Sequence, residues 1–159
     1  MEHKTADTQG VGSVYASLGG EIWRALLVVA GGRADLAEDA AAEAFSRFLV
    51  HRHEVRDARA WLYRTGSRIV IDELRRERRQ GEEIDAGSVD RPQLLSSGLT
   101  EALRALTPEQ RLCMFLTYHM DLPAREVARL TGSSLPAVKM RLNRARRALR
   151  EQLREVSNV

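Results

Sequence analysis

Near the end of the 159-residue chain, residues 123–154 read PAREVARLTGSSLPAVKMRLNRARRALREQLR. The polar side chains there are of the types that grip nucleic acid. On a helical wheel at about 100° per residue, Ala137, Met140, Asn143, Arg144 and Arg147 share one face. The Arg144 guanidinium suits guanine edges, and the Asn143 amide suits adenine edges. Lys139, Arg141 and Arg146 flank that face and suit phosphates, which position a protein without reading bases. The plainer alternative is a solvated basic helix that packs its apolar side and binds nothing.

What precedes this helix favours the first reading. Val127, Ala128 and Leu130 give a first short helix, residues 123–130, a buried side. Thr131, Gly132 and Ser133 interrupt it, and Gly132 accepts the left-handed backbone that such a turn needs. Ser134 suits an N-cap, and Pro136 falls in the first turn, where its missing N–H costs nothing. Leu135, Val138, Leu142, Ala145, Leu149 and Leu153 then recur at three- and four-residue steps as one core stripe. The pattern is a helix-turn-helix. Its candidate duplex contacts are Ser134, Pro136, Ala137, Lys139, Met140, Arg141, Asn143, Arg144 and Arg147.

A second constellation lies on a helix expected over residues 57–79. Trp61, Arg64, Arg68, Asp72, Arg75 and Arg79 fall on one stripe, opposite Leu62, Gly66, Ile69 and Val70. Guanidinium groups neutralise phosphates, and an indole stacks on an unpaired base. Equally open from sequence is a core role for Trp61 and Tyr63, with Asp72 paired to Arg68 or Arg75. A helix starting near Asp35, as its cap, buries Ala41, Ala44, Phe45, Phe48 and Leu49. Its Asp39, Glu43, Arg47 and Val50 point elsewhere. Taken alone, that stripe is a solvated face with one i,i+4 ion pair worth a few tenths of a kcal/mol.

Catalysis finds little support. His51 and His53 are the only close histidine pair, and i,i+2 residues on a helix point apart. Cys113 and His119 sit in an ordinary helical run, and no glycine-rich phosphate loop is present. No catalytic residue, metal ligand or cofactor is expected. A single cysteine excludes an internal disulfide and suits a reducing, cytoplasmic setting. The net charge is only +3, so the segregation of charge matters more than its sum. No signal peptide is visible. Residues 22–30 are apolar but include Arg24 and fall short of the ~20 residues a membrane span needs, so no membrane insertion is expected.

The expected architecture is all-α, with two small helical domains at 11–80 and 99–155. Residues 1–10 read as a mobile tail. Residues 13–30 read as a first helix with Leu18, Ile22, Ala25, Leu26 and Val29 inside, ended by Gly31 and Gly32. Residues 81–98 hold glycine, proline, serine and several acids without a period, and read as a flexible acidic linker. Beyond it, Thr107, Pro108 and Gln110 form a capping box ahead of Leu112, Phe115, Leu116 and Met120.

With these residues in place, the chain resembles the extracytoplasmic-function (ECF) sigma factors, the two-domain promoter-recognition subunits of bacterial RNA polymerase. Ala37, Glu38, Asp39, Glu43 and Phe45 resemble the family's AEDxxQExF stretch. Residues 60–64 (AWLYR), with Ile71, Asp72, Leu74, Arg75 and Arg76, resemble its AWLYRIARNLAIDYLRR helix. Residues 106–111 (LTPEQR) resemble LPPRQR, and the helix-turn-helix resembles EIAxxLGISxGTVKSRLHRAR. The resemblance implies that the first domain recognises and melts a minus-ten promoter element. The 51–58 loop and the stripe from Trp61 to Arg79 would hold the separated strand. It implies that Asp39, Glu43 and Arg47 dock on core RNA polymerase, and that the second domain reads a minus-thirty-five element. It implies core RNA polymerase and promoter DNA as partners, and an anti-sigma factor as an inhibitor. Ala42, Arg68, Ser133 and Pro136 depart from the family's usual Gln, Asn, apolar residue and Gly. The competing function is a helix-turn-helix regulator outside this family that binds duplex DNA unaided.

Overall fold

The computed structural model describes residues 3–81 and 97–158. Among them it contains seven α-helices and no strand. Helix α1 spans His3–Val29, α2 Ala34–His51 and α3 Ala58–Arg79. Then come α4 Ser97–Arg104, α5 Pro108–Met114, a π-helical turn Phe115–His119, α6 Ala124–Thr131 and α7 Leu135–Ser157. The expected 81–98 linker lies almost wholly outside the described residues, except that Ser97 and Gly98 already belong to α4.

Helices α1, α2 and α3 pack on one another, and Gly66 is why α1 and α3 come so close. A Cβ at Gly66 would stand 2.9 Å from a Leu26 methyl, inside van der Waals contact. Ile22, Leu26, Ala37, Leu62, Tyr63 and Val70 are fully buried around that crossing. Arg33, in the turn after α1, reaches Glu77 of α3 at 2.5 Å. That hydrogen bond raises the Arg33 pKa above its ordinary value.

Several expected boundaries shift. Residues 3–10 are helical backbone rather than a tail, because a packed helix extends cheaply into residues that do not break it. Asp35 is not the cap of α2. Arg33 holds that position without a side-chain bond, and Asp35 sits in the first turn, where a carboxylate complements the helix dipole. Leu49 is 44% exposed, and Leu36, Ala37 and Ala40 take up the buried side. Leu153 is 66% exposed because α7 outruns the helices that cover its earlier turns.

The expected caps of α5 and α7 and the glycine end of α6 hold, and α3 has a cap that was not expected. Asp57 caps α3 by accepting from the Ala60 N–H at 3.0 Å. Thr107 and Gln110 form the reciprocal capping box of α5, at 3.2 and 3.1 Å. Gly132 ends α6 at φ +65°, and Ser134 caps α7 by accepting from the Ala137 N–H at 3.2 Å.

The two helical groups share one main core. Leu112, Cys113, Phe115, Leu116, Val127, Leu130, Val138 and Leu142 join the buried residues of α1, α2 and α3 in one apolar cluster. A smaller cluster of Leu103, Leu106 and Ala145 lies beneath α4. Arg111 crosses between the groups and is 7% exposed. Its Nε and Nη2 donate to the Val29 carbonyl at 3.0 and 2.8 Å. Its Nη1 donates to the Leu103 and Leu106 carbonyls at 3.1 and 2.9 Å. These carbonyls lie at or just beyond the C-terminal ends of α1 and α4, where helix dipoles favour a cation. Burial still pushes the Arg111 pKa down to about 10.

Candidate nucleic-acid interface

The helix-turn-helix is built as its sequence requires. Val127, Leu130, Val138 and Ala145 are fully buried and fix α7 across α6. The outer face of α7 carries Lys139, Met140, Asn143, Arg144 and Arg147, all exposed. Ala137 is only half-exposed at the edge of that face. Ser134 and Pro136 stand exposed at the N-terminal end, the end that enters a groove in this class of motif.

Two cations expected on phosphates are held back by the protein. Arg141 is half-buried and donates from Nη1 to Ser133 Oγ at 2.7 Å. It therefore braces the turn, and gives the polar Ser133 a partner where an apolar residue would have packed. Arg146 donates from Nε to the Tyr118 hydroxyl at 2.6 Å and lies over its ring at 5.7 Å. Its Nη1 also reaches Asn143 Oδ1 at 3.2 Å, so the amide meant for an adenine edge is oriented by its own helix. Tyr118 is 57% exposed and belongs to the π-helical turn, a role that no periodicity in the sequence announces.

On α3, Arg64, Arg68, Asp72, Arg75 and Arg79 are exposed along one side. Trp61 is half-buried, with Phe48 at 5.8 Å and His51 at 6.3 Å between ring centroids. It borders a recess of about 500 Å³ with Asp57, Arg64, Arg68 and Arg129. A second recess, about 450 Å³, runs on past Arg68, Asp72 and Arg75 to Glu109 and Gly132. The fold thus sets Trp61, Arg64, Arg68, Asp72 and Arg75 around two neighbouring recesses that share Arg64 and Arg68, and Arg79 lines neither of them. Tyr63 separates from Trp61: it is fully buried and donates to Glu21 Oε1 at 2.8 Å. Burial, then that hydrogen bond, raises its pKa well above the phenol's ordinary value.

Glu109, Arg129 and Gly132 belong to the second helical group, so these recesses are not made by α3 alone. Arg75 meets Glu109 at 3.1 Å. Arg64 donates to the Arg129 carbonyl, and the Arg129 guanidinium pairs with Asp57 and Glu126. Sequence reasoning missed Arg111, Glu109 and Arg129. Only Arg111 left a trace, as a cation set directly before the apolar run Leu112–Cys113–Met114.

On α2, Asp39, Glu43, Arg47 and Val50 are exposed on one side. Arg47 donates to Glu43 at 2.8 Å with both side chains about half exposed, so the pair contributes only a few tenths of a kcal/mol. Cys113 is buried, and burial raises its thiol pKa. No helix among the described residues is long and apolar enough to cross a membrane.

Comparison with known proteins agrees with this two-part layout. Residues 14–80 match the family model for sigma-70 region 2, and residues 97–149 match sigma-70, region 4. The ECF RNA polymerase sigma factor BldN of Streptomyces coelicolor is 29% identical over 92% of this chain and 61% of its own length. The chain therefore spans under two thirds of that relative. The ECF RNA polymerase sigma factor SigL of Mycobacterium tuberculosis is 29% identical over 91% of this chain and 89% of its own length. Among solved structures, the sigma factor RpoE of Bartonella quintana, crystallised with the anti-sigma factor NepR, aligns with a TM-score of 0.72. That alignment has 19% identity and covers 90% of this chain and 96% of RpoE, a likeness of fold. With two successive regions of one family matched in order along most of its length, the chain belongs to the sigma-70 family, among the ECF RNA polymerase sigma factors.

Proposed function

We propose that this chain binds core RNA polymerase and directs promoter-specific initiation, with no catalysis of its own. One observation carries the reading: two basic surfaces of different design, an exposed helix-turn-helix face and an aromatic-edged groove. In this assignment residues 99–155 place the N-terminal half of α7 in the major groove of the minus-thirty-five element. Ser134, Pro136, Ala137, Lys139, Met140, Asn143, Arg144 and Arg147 make the contacts, and Arg141 acts chiefly by bracing the turn. Residues 11–80 hold the melted minus-ten strand along Trp61, Arg64, Arg68, Asp72, Arg75 and Arg79. Melting costs a few kcal/mol per extruded base, which a preformed recess beside Trp61 helps to offset.

Asp39, Glu43 and Arg47 dock on the polymerase, and the exposed Val50 adds apolar surface to the same side. The acidic 81–98 segment links the two parts. An anti-sigma factor is the inhibitor that the family resemblance implies. A regulator that binds duplex unaided is not favoured, because a groove edged by an indole is of no use to a protein that reads only intact duplex.

The test is run-off transcription with core polymerase and a promoter pool, with and without the chain. Arg144→Glu is expected to cut promoter-specific transcript at least about tenfold while polymerase binding persists. Exchanging Asp39 and Glu43 together for lysines is expected to reverse that pattern and weaken assembly. Normal transcription by the first variant, or normal assembly by the second, would remove the respective assignment.

A further inference from the structure

We infer that Tyr118 is a positioning residue for promoter recognition. Through Arg146 it holds the Asn143 amide so that α7 selects guanine, not adenine, at the base pair facing Asn143. This rests on the docking of α7 in the major groove proposed above.

The residue type alone points the other way. A free asparagine amide offers an oxygen acceptor and an NH2 donor side by side, the pair that matches N6 and N7 of adenine. Asn143 is exposed on the outer face of α7, but its amide is not free. Its Oδ1 accepts from Arg146 Nη1 at 3.2 Å. The oxygen is thereby turned along the helix toward residue 146, and the NH2 group is the end left for a base. Guanine presents two acceptors in the major groove, O6 and N7, and no donor. Adenine would set its N6 amino group against the Asn143 NH2, donor against donor. The Arg146 cation also polarises the amide that it bonds, which strengthens the remaining donor hydrogens.

One exposed hydrogen bond between residues three apart does not hold a rotamer by itself. A second anchor makes this one firm. Arg146 is half-buried. Its Nε donates to the Tyr118 hydroxyl at 2.6 Å, and its guanidinium carbon lies 5.7 Å from the centre of that ring. A guanidinium is planar and rigid, so a fixed Nε also fixes Nη1. Tyr118 is itself well mounted. In its π-helical turn Leu116 is fully buried, and the Phe115 and His119 rings stack at 4.9 Å. Turns of this kind recur at functional sites. Tyr118 acts on the duplex only through Arg146 and Asn143.

Tyr118→Phe isolates the effect, because it keeps the ring and removes only the hydroxyl acceptor. The full chain is combined with core polymerase and a pool of templates randomised across the minus-thirty-five element, each with a transcribed barcode. Counting barcodes in the run-off transcripts gives the base preference at every position. Asn143→Ala locates the base pair in question, as the position where the preference disappears. In the parent, guanine is expected there over adenine by at least about fivefold. In Tyr118→Phe that ratio is expected to fall to about two or below, while preferences elsewhere stay within about twofold. Tyr118→Phe added to Asn143→Ala is expected to change nothing further, since its effect passes through the missing amide.

A uniform drop in transcript with the base preferences intact makes Tyr118 a support of the fold and overturns the inference. So does an adenine preference in the parent, or an Asn143→Ala variant that alters no position. Those three results leave the initiation role standing. A parent chain that yields no transcript from any template removes the initiation role and this inference with it. Should Tyr118→Phe not fold, judged by helicity and a cooperative melt, Arg146→Lys takes its place. Lysine keeps the charge but lacks the planar fork, and is expected to move the guanine-to-adenine ratio in the same direction. An unmoved ratio overturns the inference.

Discussion

Helices α3 and α7 each display a row of arginines, yet the rows live in different surroundings. On α3, Arg64 and Arg75 meet oxygens supplied by α6 and α5. On α7, Arg144 and Arg147 stand exposed, and the inward-leaning Arg141 and Arg146 are held by Ser133 and Tyr118. The α3 row is built into the contact between two halves of the molecule. The outer α7 row faces solvent. The comparison teaches that equal charge does not mean equal availability: a guanidinium with an internal acceptor must exchange partners before it can bind.

The sharpest way to break this comparison is to remove the cation that joins the halves from inside. Arg111→Ala leaves the Val29, Leu103 and Leu106 carbonyls without their donor. Such a loss at a buried site is expected to cost about 3 kcal/mol, read as a lower urea midpoint. A loss below about 1 kcal/mol would mean that the halves do not depend on this crossing.

A smaller effect is expected on the inward face of α3. Tyr63→Phe removes one buried hydrogen bond to Glu21 and is expected to cost about 1 kcal/mol near neutral pH. The folded pKa of Tyr63 lies above its unfolded value of 10.0. Its contribution is therefore complete below pH 10 and is lost as pH rises beyond it. Cys113, raised from 9.0 by burial, adds to the fall in stability from that pH upward. Urea unfolding near neutral pH and above pH 10 should show a shallower alkaline loss in the variant than in the parent. Equal slopes would exclude Tyr63 as a source.

The smallest effect is expected on the outer row. Arg144→Ala and Arg147→Ala should each leave thermal stability within about 0.5 kcal/mol of the parent. A larger loss of stability in either variant would place these arginines in the fold, and the contrast with α3 would disappear.

Much of the fold was legible because helix ends are local. Thr107 with Gln110, Gly132 and Ser134 act through bonds to residues at most a few positions away, so spacing alone identifies them. The α7 stripe was legible through Ala145 for the same reason. Leu153 was not, since an apolar period does not say where the covering helices stop. The candidate site divides in the same way. The wheel placed Trp61, Arg64, Arg68, Asp72 and Arg75 on one stripe, but it had no means of bringing Glu109 or Arg129 to them.

By itself, then, the order of residues determined most of the helices, the caps of α5 and α7, the all-helical class and the two rows of positive charge, because each follows from neighbours within a turn or so. Tertiary packing decided the burial of Arg111, the engagement of Arg64 and Arg75, and the division of labour among the α7 cations. The decisive acceptors, Val29 for Arg111, Glu109 for Arg75, the Arg129 carbonyl for Arg64 and Tyr118 for Arg146, lie far along the chain, and only a closed core carries them into hydrogen-bonding reach.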